Sequence, residues 1–476
     1  MGGAERQRAM TAGLTDPDST PVEAGAPRST MRRDLVWAYV ASGSKIASWA
    51  IVSAIVYRKA GKLEFGMLSM VRGTIGILNY TALGLAPAMV RLLAESRPGV
   101  GKPADDAIPR QQIIYSTGIV LAAITLCVGI VGTAIYAHFF SHLHQVPSQL
   151  ILQVPQVVLW IGVGTMLRLF SDTGGAVLQT RGRIATDNRL LAASEIGWVV
   201  LMCAWMGASH FIHLPGALVG AAFCYGIAGA GLLGLRGAAA GSLDPPMKPL
   251  AARVNWNVMW RLVELGSLVL VAQLADYLYA PTDFILINHF LTPGEVAAYA
   301  PAVQMDAGLI ALVTAISSVL LPAAALAHTA GSTHIVAKYY VRGTLASLAL
   351  LATAAIGVWL LAPMILRIWL GADPGTTIIL PLVLIHTVIG GSSTTGRAIL
   401  LAMGKFKPFT ASVLIAGAVN AFASYCFVKY LHWGLRGIVL GTIVAVVGRC
   451  ALWMPWYVMR SLSREQRRAM PALRDA

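Results

Sequence analysis

The chain has 476 residues, of which 57% are hydrophobic and 12% charged, and its mean hydropathy is +0.68. This composition leaves little material for a soluble core and therefore excludes a string of soluble domains. The net charge of +15 suggests a nucleic-acid partner at first sight. In a membrane protein, however, excess Lys and Arg are typical of loops held on the cytoplasmic side, so we expect no such partner.

Residues 1–31 are rich in Gly, Pro, Ala, Ser and Thr, which predicts a disordered cytoplasmic tail. About twelve apolar stretches follow. A helix needs roughly 20 apolar residues to cross a bilayer, and each stretch is about that long. The sequence therefore predicts an all-α polytopic membrane protein with about 12 transmembrane helices. The candidate spans are roughly 35–57, 66–93, 112–138, 150–178, 190–210, 214–236, 262–288, 296–326, 342–367, 377–402, 409–430 and 435–459.

The spans fall into two halves of six, separated by residues 237–261, where Pro245-Pro246 ends any helix. This segment is predicted to be an amphipathic cytoplasmic linker between an N-terminal lobe, 32–236, and a C-terminal lobe, 262–460. Residues 461–476 form a basic cytoplasmic tail. Short matches between the halves, such as Lys62-Leu-Glu-Phe-Gly-Met-Leu-Ser with Pro293-Gly-Glu-Val-Ala-Ala-Tyr-Ala, support an internal repeat, which is common in secondary transporters.

Lys and Arg residues concentrate in every second connection, beginning with the N-terminal tail. By the positive-inside rule, both termini are cytoplasmic. The first outside loop, which contains Arg58, Lys59 and Lys62, is the exception to this pattern.

Two regions resemble a known family. The run from Glu64-Phe-Gly-Met-Leu-Ser to Leu85-Ala-Pro-Ala-Met-Val-Arg-Leu-Leu-Ala-Glu and the run from Ala280-Pro-Thr-Asp to Ala300-Pro-Ala are similar to helical hairpins of Wzx-type polysaccharide flippases. These belong to the MOP superfamily, which also contains the MATE multidrug exporters. The resemblance implies two six-helix bundles around a central cavity, in a bacterial inner membrane. It also implies movement of a polyprenyl-pyrophosphate-linked oligosaccharide to the outer leaflet.

Charged residues inside a membrane are costly and usually functional. Five polar or basic residues are candidates for a cavity wall that binds a pyrophosphate or acidic sugars, because Arg matches phosphate with its planar fork and Lys acts as a point charge. They are Lys45, Arg72, Asn79, Arg168 and Arg397. The alternative is pairing with acidic side chains, and Arg168 is expected to pair with Asp172, four residues along the same helix.

Three carboxylates, Asp276, Asp283 and Asp306, are candidates for coupling transport to a cation gradient; the resemblance implies such a role for Asp276. Na⁺ and H⁺ are the two candidate coupling ions, and no other cofactor or metal site is expected. The alternative is that these carboxylates pair with Arg397 or Arg449.

Two other functions compete with a flippase. A MATE-like multidrug antiporter would favour an acidic, aromatic cavity. A membrane-embedded enzyme acting on lipid-linked sugars lacks support, since no catalytic motif is found. The protein is thus expected not to be an enzyme, and to act as a monomer on membrane lipid and a lipid-linked oligosaccharide, with the polysaccharide assembly machinery as its candidate partner. The three histidines His138, His142 and His144 are expected to be solvated loop residues.

Overall fold

The computed structural model describes residues 28–76, 78, 84–96, 107–209, 211, 214–250, 253–277, 280–329 and 331–472. These residues form sixteen α-helices and no strands. The helices are α1 Arg28–Lys59, α2 Lys62–Ile75, α3 Leu85–Glu95, α4 Ala107–Leu143, α5 Val154–Thr180, α6 Ile184–Ala208, α7 Ala217–Gly241, α8 Trp256–Tyr277, α9 Ala280–Phe290, α10 Pro293–Thr329, α11 Thr333–Leu370, α12 Leu380–Ser392, α13 Thr394–Ala402, α14 Phe406–Lys429, α15 Gly434–Val446 and α16 Met454–Ala472.

Every predicted span coincides with one of these helices or with a pair of them. The second and tenth spans are each divided into two shorter helices, α2 with α3 and α12 with α13, and the twelfth comprises α15, a π-helical segment Val447–Trp453 and α16. The seventh span contains α8 and α9, and residues 278–279 between them lie outside the described residues. Discontinuous helices of this kind are a common feature of transporter folds.

The helices carry apolar side chains on their outward faces. Val128, Phe422 and Leu360 are each more than 60% exposed, as expected where lipid replaces water around the bundle. Within the described residues, nine helices are long and apolar enough to cross a membrane on their own. The prediction of an all-α, multi-pass membrane protein is confirmed.

Helices α1 and α4–α7 pack mainly on one another, α10–α15 form a second group, and α2 packs chiefly on α10 of that second group. Small residues permit the closest approaches. A Cβ added at Gly229 of α7 would lie 2.7 Å from the carbonyl oxygen of Gly164 in α5, and one at Gly441 of α15 would lie 2.6 Å from the backbone nitrogen of Ser424 in α14. The exact lobe boundaries stay a prediction.

The segment between the halves is tied to α4. The N–H of Leu250 donates to Ser116 Oγ at 3.0 Å, and that of Asn255 donates to Thr117 Oγ1 at 3.0 Å. Asn255 also caps α8, because its Oδ1 accepts the backbone N–H of Asn257 at 2.9 Å. These bonds fix the start of α8 against the first half of the chain, and α8 also packs on α3.

Candidate functional site

Two arginines of the first half lie in a cage of aromatic rings. The guanidinium carbon of Arg72, on α2, is 3.9 Å from the ring centroid of Trp49, and that of Arg168, on α5, is 4.5 Å from the centroid of Tyr225. Trp198 joins the two rings: its centroid is 4.6 Å from Trp49 and 5.1 Å from Tyr225. The positive charges therefore face ring π-systems, which attract cations. We call these five residues the caged arginine cluster.

Glu195 of α6 is the acidic neighbour of this cluster. Its Oε1 accepts a hydrogen bond from Arg168 Nη1 at 2.5 Å, and its carboxylate also attracts the guanidinium of Arg72. Buried polar atoms are normally paired. Among the described residues, however, Nε and Nη2 of Arg168 and Oε2 of Glu195 are buried without a hydrogen-bond partner. The cluster therefore keeps donor capacity for an anion.

The predicted pair of Arg168 with Asp172 is wrong. Asp172 accepts instead from Arg236 Nη1 of α7 at 2.5 Å, and Arg236 Nε donates to Asp187 Oδ1 at 2.8 Å. The spacing of four residues along α5 allows Arg168 to reach Asp172. In the structure, however, α6 places Glu195 beside Arg168, and α7 places Arg236 beside Asp172. Arg236, the last residue of the sixth predicted span, is buried.

Breaking this network, in which Arg236 and Asp187 are buried and Asp172 is partly exposed, should destabilise the protein. Arg236→Met removes the only cation that contacts both Asp172 and Asp187 in the described structure, and an uncompensated buried charge costs about 3–5 kcal/mol. We expect a loss of that size in the free energy of unfolding, measured by denaturation in detergent. The matched control is Arg261→Met, whose exposed pair with Glu95 is worth at most about 1 kcal/mol; equal effects in the two variants would contradict the prediction.

The remaining predicted residues of the first half are placed differently. Lys45 of α1 is exposed, one turn before Trp49, and its ammonium is near enough to Asp172 to attract that carboxylate. Asn79 lies outside the described residues. Arg397 lies with the carboxylates of the second half and not with the caged arginine cluster.

Asp283 of α9 is fully buried and surrounded by neutral hydrogen-bond donors. Its Oδ2 accepts from Tyr299 Oη at 2.9 Å and from Thr442 Oγ1 at 2.8 Å, and its Oδ1 accepts from Asn420 Nδ2 at 3.1 Å. Within the described residues, no Lys, Arg or His forms an ion pair with it. Three neutral donors therefore hold the carboxylate in place, and the nearby His386 attracts its charge.

Further oxygen atoms surround Asp283. Thr442 Oγ1 lies 3.0 Å from Asn420 Oδ1, and Ser424 Oγ lies 3.2 Å from Asn420 Oδ1 and 3.1 Å from the carbonyl oxygen of Ile438. Carboxylate, amide, hydroxyl and carbonyl oxygens are the ligands that hard cations prefer. We call Asp283, Asn420, Ser424, Ile438 and Thr442 the oxygen cluster.

Asp283 and Asp306 line one polar cavity of about 300 Å³. Asp306 Oδ1 accepts a hydrogen bond from Thr387 Oγ1 at 2.6 Å. Arg397 and Arg449 line the same cavity, and their guanidinium groups face the ring of Phe409. The structure thus brings together two of the three predicted carboxylates. The side chain of the third, Asp276, lies outside the described residues, so its role stays a prediction.

Hydrogen bonds join the two halves at span ends that are predicted to face outside. Asn288 Nδ2 donates to the carbonyl oxygen of Gln145 at 3.0 Å, and the N–H of Gln145 donates to Asn288 Oδ1 at 2.9 Å. Trp369 Nε1 donates to the carbonyl oxygen of Ala50 at 2.8 Å. These four residues form the outer contact, which holds the halves together at that end.

Comparison with known proteins shows similarity to a polysaccharide biosynthesis family, to a bacterial membrane protein and to MATE transporters. Residues 246–373 match a family model described as polysaccharide biosynthesis protein. The chain is 23% identical over 423 residues to the uncharacterized membrane protein EpsK of Bacillus subtilis (strain 168), covering 86% of this chain and 79% of EpsK. It is similar in structure to a multidrug resistance MATE family transporter of the MOP superfamily in the inward-facing conformation, with a TM-score of 0.76 and 11% identity over 90% of this chain and 99% of that chain.

The fold is similar to that of MATE transporters. The sequence resemblance to polysaccharide-export members of that superfamily is confirmed by the family match, the similarity to EpsK and the MATE-like structure. A MATE transporter of the superfamily in the outward-facing conformation gives a lower TM-score, 0.66, at 12% identity over 93% of this chain and 98% of that chain.

Locking the outer contact should stop any cycle that requires the halves to separate there. We expect a Gln145→Cys/Asn288→Cys variant, made without the five native cysteines, to lose transport when a short bifunctional thiol reagent joins the two positions, and to regain it after reductive cleavage of the link. The control is Arg91→Cys/Glu95→Cys, which joins two residues one turn apart on α3. Undiminished transport in the cross-linked Gln145/Asn288 variant would contradict motion at this contact.

One of the three histidines predicted to be solvated lies against the outer contact. His144 is partly buried and directly precedes Gln145, and its Nε2 is 2.9 Å from Tyr136 Oη. The other two histidines, His138 and His142, are exposed as predicted, but they lie on helix α4 and not in a loop. Burial and the neighbouring His289 lower the pKa of His144 from 6.5 to about 4. The prediction for His144 is therefore wrong, because its ring packs on Tyr136 and Phe140.

Acid should loosen the outer contact. A histidine whose pKa is lowered in the closed form binds a proton more readily in the open form, so the closed form loses stability as pH falls from about 6.5 towards 4. We expect the thiol of a Gln145→Cys variant to react faster with a membrane-impermeant maleimide at pH 5 than at pH 7, after correction for the thiol's own titration. His144→Asn should remove this difference, and its persistence in that variant would contradict the prediction.

Sequence reasoning missed Glu195 as the partner of Arg168, and also Asn420, Ser424 and Thr442. The four residues are polar side chains in otherwise apolar spans, which is the signal that singled out Arg168 and Asp283. Their proximity comes from contacts between helices that lie far apart in the sequence, and spacing along one helix cannot reveal it.

Proposed function

We propose that this protein moves a polyprenyl-pyrophosphate-linked oligosaccharide from the cytoplasmic to the outer leaflet, by alternating access coupled to a cation gradient. The observation that carries the proposal is the caged arginine cluster, in which Arg168 retains two buried, unpartnered guanidinium nitrogens beside Arg72. A pyrophosphate cannot enter hydrocarbon without compensation of its charge. Two arginines with planar donor groups supply that compensation.

The aromatic rings give the cluster a second role in this proposal. Trp49 and Tyr225 offer flat faces to the arginines, and Trp198 packs edge-on against both rings. Together the three rings exclude water, which strengthens the attraction of the arginines for an anion. Glu195 holds Arg168 in position through Oε1. An anionic headgroup and Glu195 would then share the two guanidinium groups, so that the headgroup is held without being bound irreversibly.

The oxygen cluster is the part of the proposal that concerns coupling. Asp283, Asn420, Ser424, Thr442 and the carbonyl of Ile438 supply only oxygen ligands, and they come from three helices. This donor set fits Na⁺ in its chemistry. A bound cation would compensate the charge of Asp283 more fully than its neutral donors and His386 do, and would link α9 to α14 and α15.

The experiment that tests the proposed function is leaflet sidedness in liposomes. A fluorescent polyprenyl-pyrophosphate oligosaccharide is placed in vesicles with and without the purified protein, and the fraction accessible to a membrane-impermeant quencher is followed over time. We expect protein-dependent exchange between leaflets that is faster with an imposed Na⁺ gradient. Equal accessibility with and without protein, for several glycans, would refute the proposal.

A second candidate, a MATE-like multidrug antiporter, is favoured by one observation: two carboxylates line the polar cavity of the second half. Such a cavity suits cationic substrates. Two arginines line the same cavity, however, and the family that matches residues 246–373 is one of polysaccharide biosynthesis. Efflux of a cationic dye by the purified protein, undiminished in an Arg72→Glu/Arg168→Glu variant, would favour the antiporter.

A further inference from the structure

A groove of about 520 Å³ lies on the outside of the second half, between α14 and the helices that follow it. Its walls include Ile415 and Val419 of α14 and Val444 and Trp456 from the opposite side. All four side chains are at least 40% exposed, in a part of the protein that is surrounded by lipid. The groove therefore presents apolar side chains to the hydrocarbon.

One end of the groove is basic. Arg460 and Arg464 of α16 line it and lie one turn apart, on one face of that helix; the guanidinium of Arg460 lies over the ring of Trp456, 4.9 Å from its centroid. Glu465, the single acidic residue of α16, forms an ion pair with Lys405 at 3.4 Å. By the positive-inside rule, this end is at the cytoplasmic surface, where the phosphates of membrane lipids lie.

The length of the groove matches one leaflet. Its α14 wall runs from Pro408 to Val419, which at the rise of an α-helix is about 17 Å. The hydrocarbon of one leaflet is about 15 Å thick, half of a ~30 Å core. An acyl chain of a membrane phospholipid therefore fits along the groove, and a polyprenyl chain several times longer does not.

The floor of the groove is unusual in its backbone. Residues Val447–Trp453 form a π-helical segment, and Gly448, Arg449 and Trp453 of this segment line the groove. Single π-helical turns frequently lie at functional sites. Gly448 leaves room there, because a Cβ added to it would meet no atom within 4 Å. Arg449 also lines the polar cavity that contains Asp283 and Asp306. A molecule bound in the groove would therefore contact the π-helical segment from which Arg449 reaches that cavity.

From the basic end, the apolar walls and the matching length, we infer that this groove binds an anionic phospholipid of the cytoplasmic leaflet, with its phosphate at Arg460 and Arg464 and one acyl chain along α14. Basic pockets between transmembrane helices on the cytoplasmic side are known to bind anionic headgroups. The site is separate from the caged arginine cluster and the oxygen cluster, so it does not rest on the proposed function.

The test measures binding and not transport. The purified protein is incorporated into nanodiscs of phosphatidylcholine with a small fraction of phosphatidylglycerol, and native mass spectrometry counts the phosphatidylglycerol retained on the protein. We expect preferential retention by the wild type and retention roughly 30-fold weaker in Arg460→Gln/Arg464→Gln, from about a fivefold loss for each arginine. Arg467→Gln, on the same helix but outside the groove, is the matched control.

A second variant separates the groove from simple charge attraction. Gly448→Leu fills the floor without changing any charge, and it should weaken retention although both arginines remain; Gly357→Leu, also at a helical glycine with open space around its Cβ, should not. Equal retention by the arginine variant and Arg467→Gln would overturn the site. So would undiminished retention by Gly448→Leu, or stronger retention of a polyprenyl phosphate than of phosphatidylglycerol at equal concentration.

Discussion

Leaflet exchange of a polyprenyl-pyrophosphate oligosaccharide is expected to fall at least tenfold in an Arg72→Ala variant, and further when Arg168 is also replaced. Each arginine can give a pyrophosphate charge-assisted hydrogen bonds worth about 1.5–3 kcal/mol, which corresponds to about a ten- to hundredfold effect. Arg72→Lys should retain part of the activity, since lysine keeps the charge but loses the planar donor geometry. The measurement is the initial rate of quencher accessibility in proteoliposomes.

The controls must separate lost binding from lost folding. Arg168→Ala leaves Glu195 buried without its partner, so that variant is compared with Arg168→Ala/Glu195→Gln, which removes the uncompensated charge. Arg189→Ala removes another arginine that lies over a ring, that of Trp37 at 4.6 Å, but outside the cluster, and should leave exchange unchanged. Wild-type exchange in a folded Arg72→Ala/Arg168→Ala/Glu195→Gln variant would remove the cluster from the mechanism.

The architecture could be predicted from the sequence because apolar spans of about 20 residues have few alternatives in a membrane. The spans at 112–138 and 342–367 coincide with α4 and α11. The divided spans were not predicted. A hydropathy pattern averages over many residues, so it does not show the single turn at Ser393 that separates α12 from α13 in the tenth span.

The sites could be predicted only in part, for a physical reason that differs between the two halves. Charged residues in apolar segments stand out, and so Arg72, Arg168 and Asp283 were found. Which charge pairs with which depends on helix packing: Arg168 contacts Glu195, 27 residues away, although Asp172 lies one turn along its own helix. In the oxygen cluster most ligands are neutral. A serine or threonine in a membrane helix usually forms a hydrogen bond with its own backbone. The sequence therefore does not mark Thr442 as a site residue, and its role is recognised only from the packing of α15 on α9.

Dependence of exchange on a Na⁺ gradient is expected to disappear in an Asp283→Asn variant. Asparagine has nearly the same shape, and its amide can still bond Tyr299 and Thr442, so the packing around α9 should persist. The substitution removes the negative charge, so that only the dipoles of the oxygen cluster remain to attract a cation. The attraction for an ion falls steeply when its counter-charge is removed from a buried site. The measurement is the ratio of initial rates with and without an imposed gradient, which we expect to fall to about one.

Three other carboxylates show whether this effect belongs to the oxygen cluster. Asp373 caps an exposed loop through the N–H of Thr376 at 2.7 Å, so Asp373→Asn should keep the gradient dependence. Asp306 contacts Thr387 and not the cluster, and Asp306→Asn should keep it as well. Asp276 is the carboxylate that the family resemblance favours. If gradient dependence survives in Asp283→Asn but disappears in Asp276→Asn, the coupling site lies on α8 and not on α9. Coupling that requires Asp283 alone would assign the ion to the contact between α9, α14 and α15.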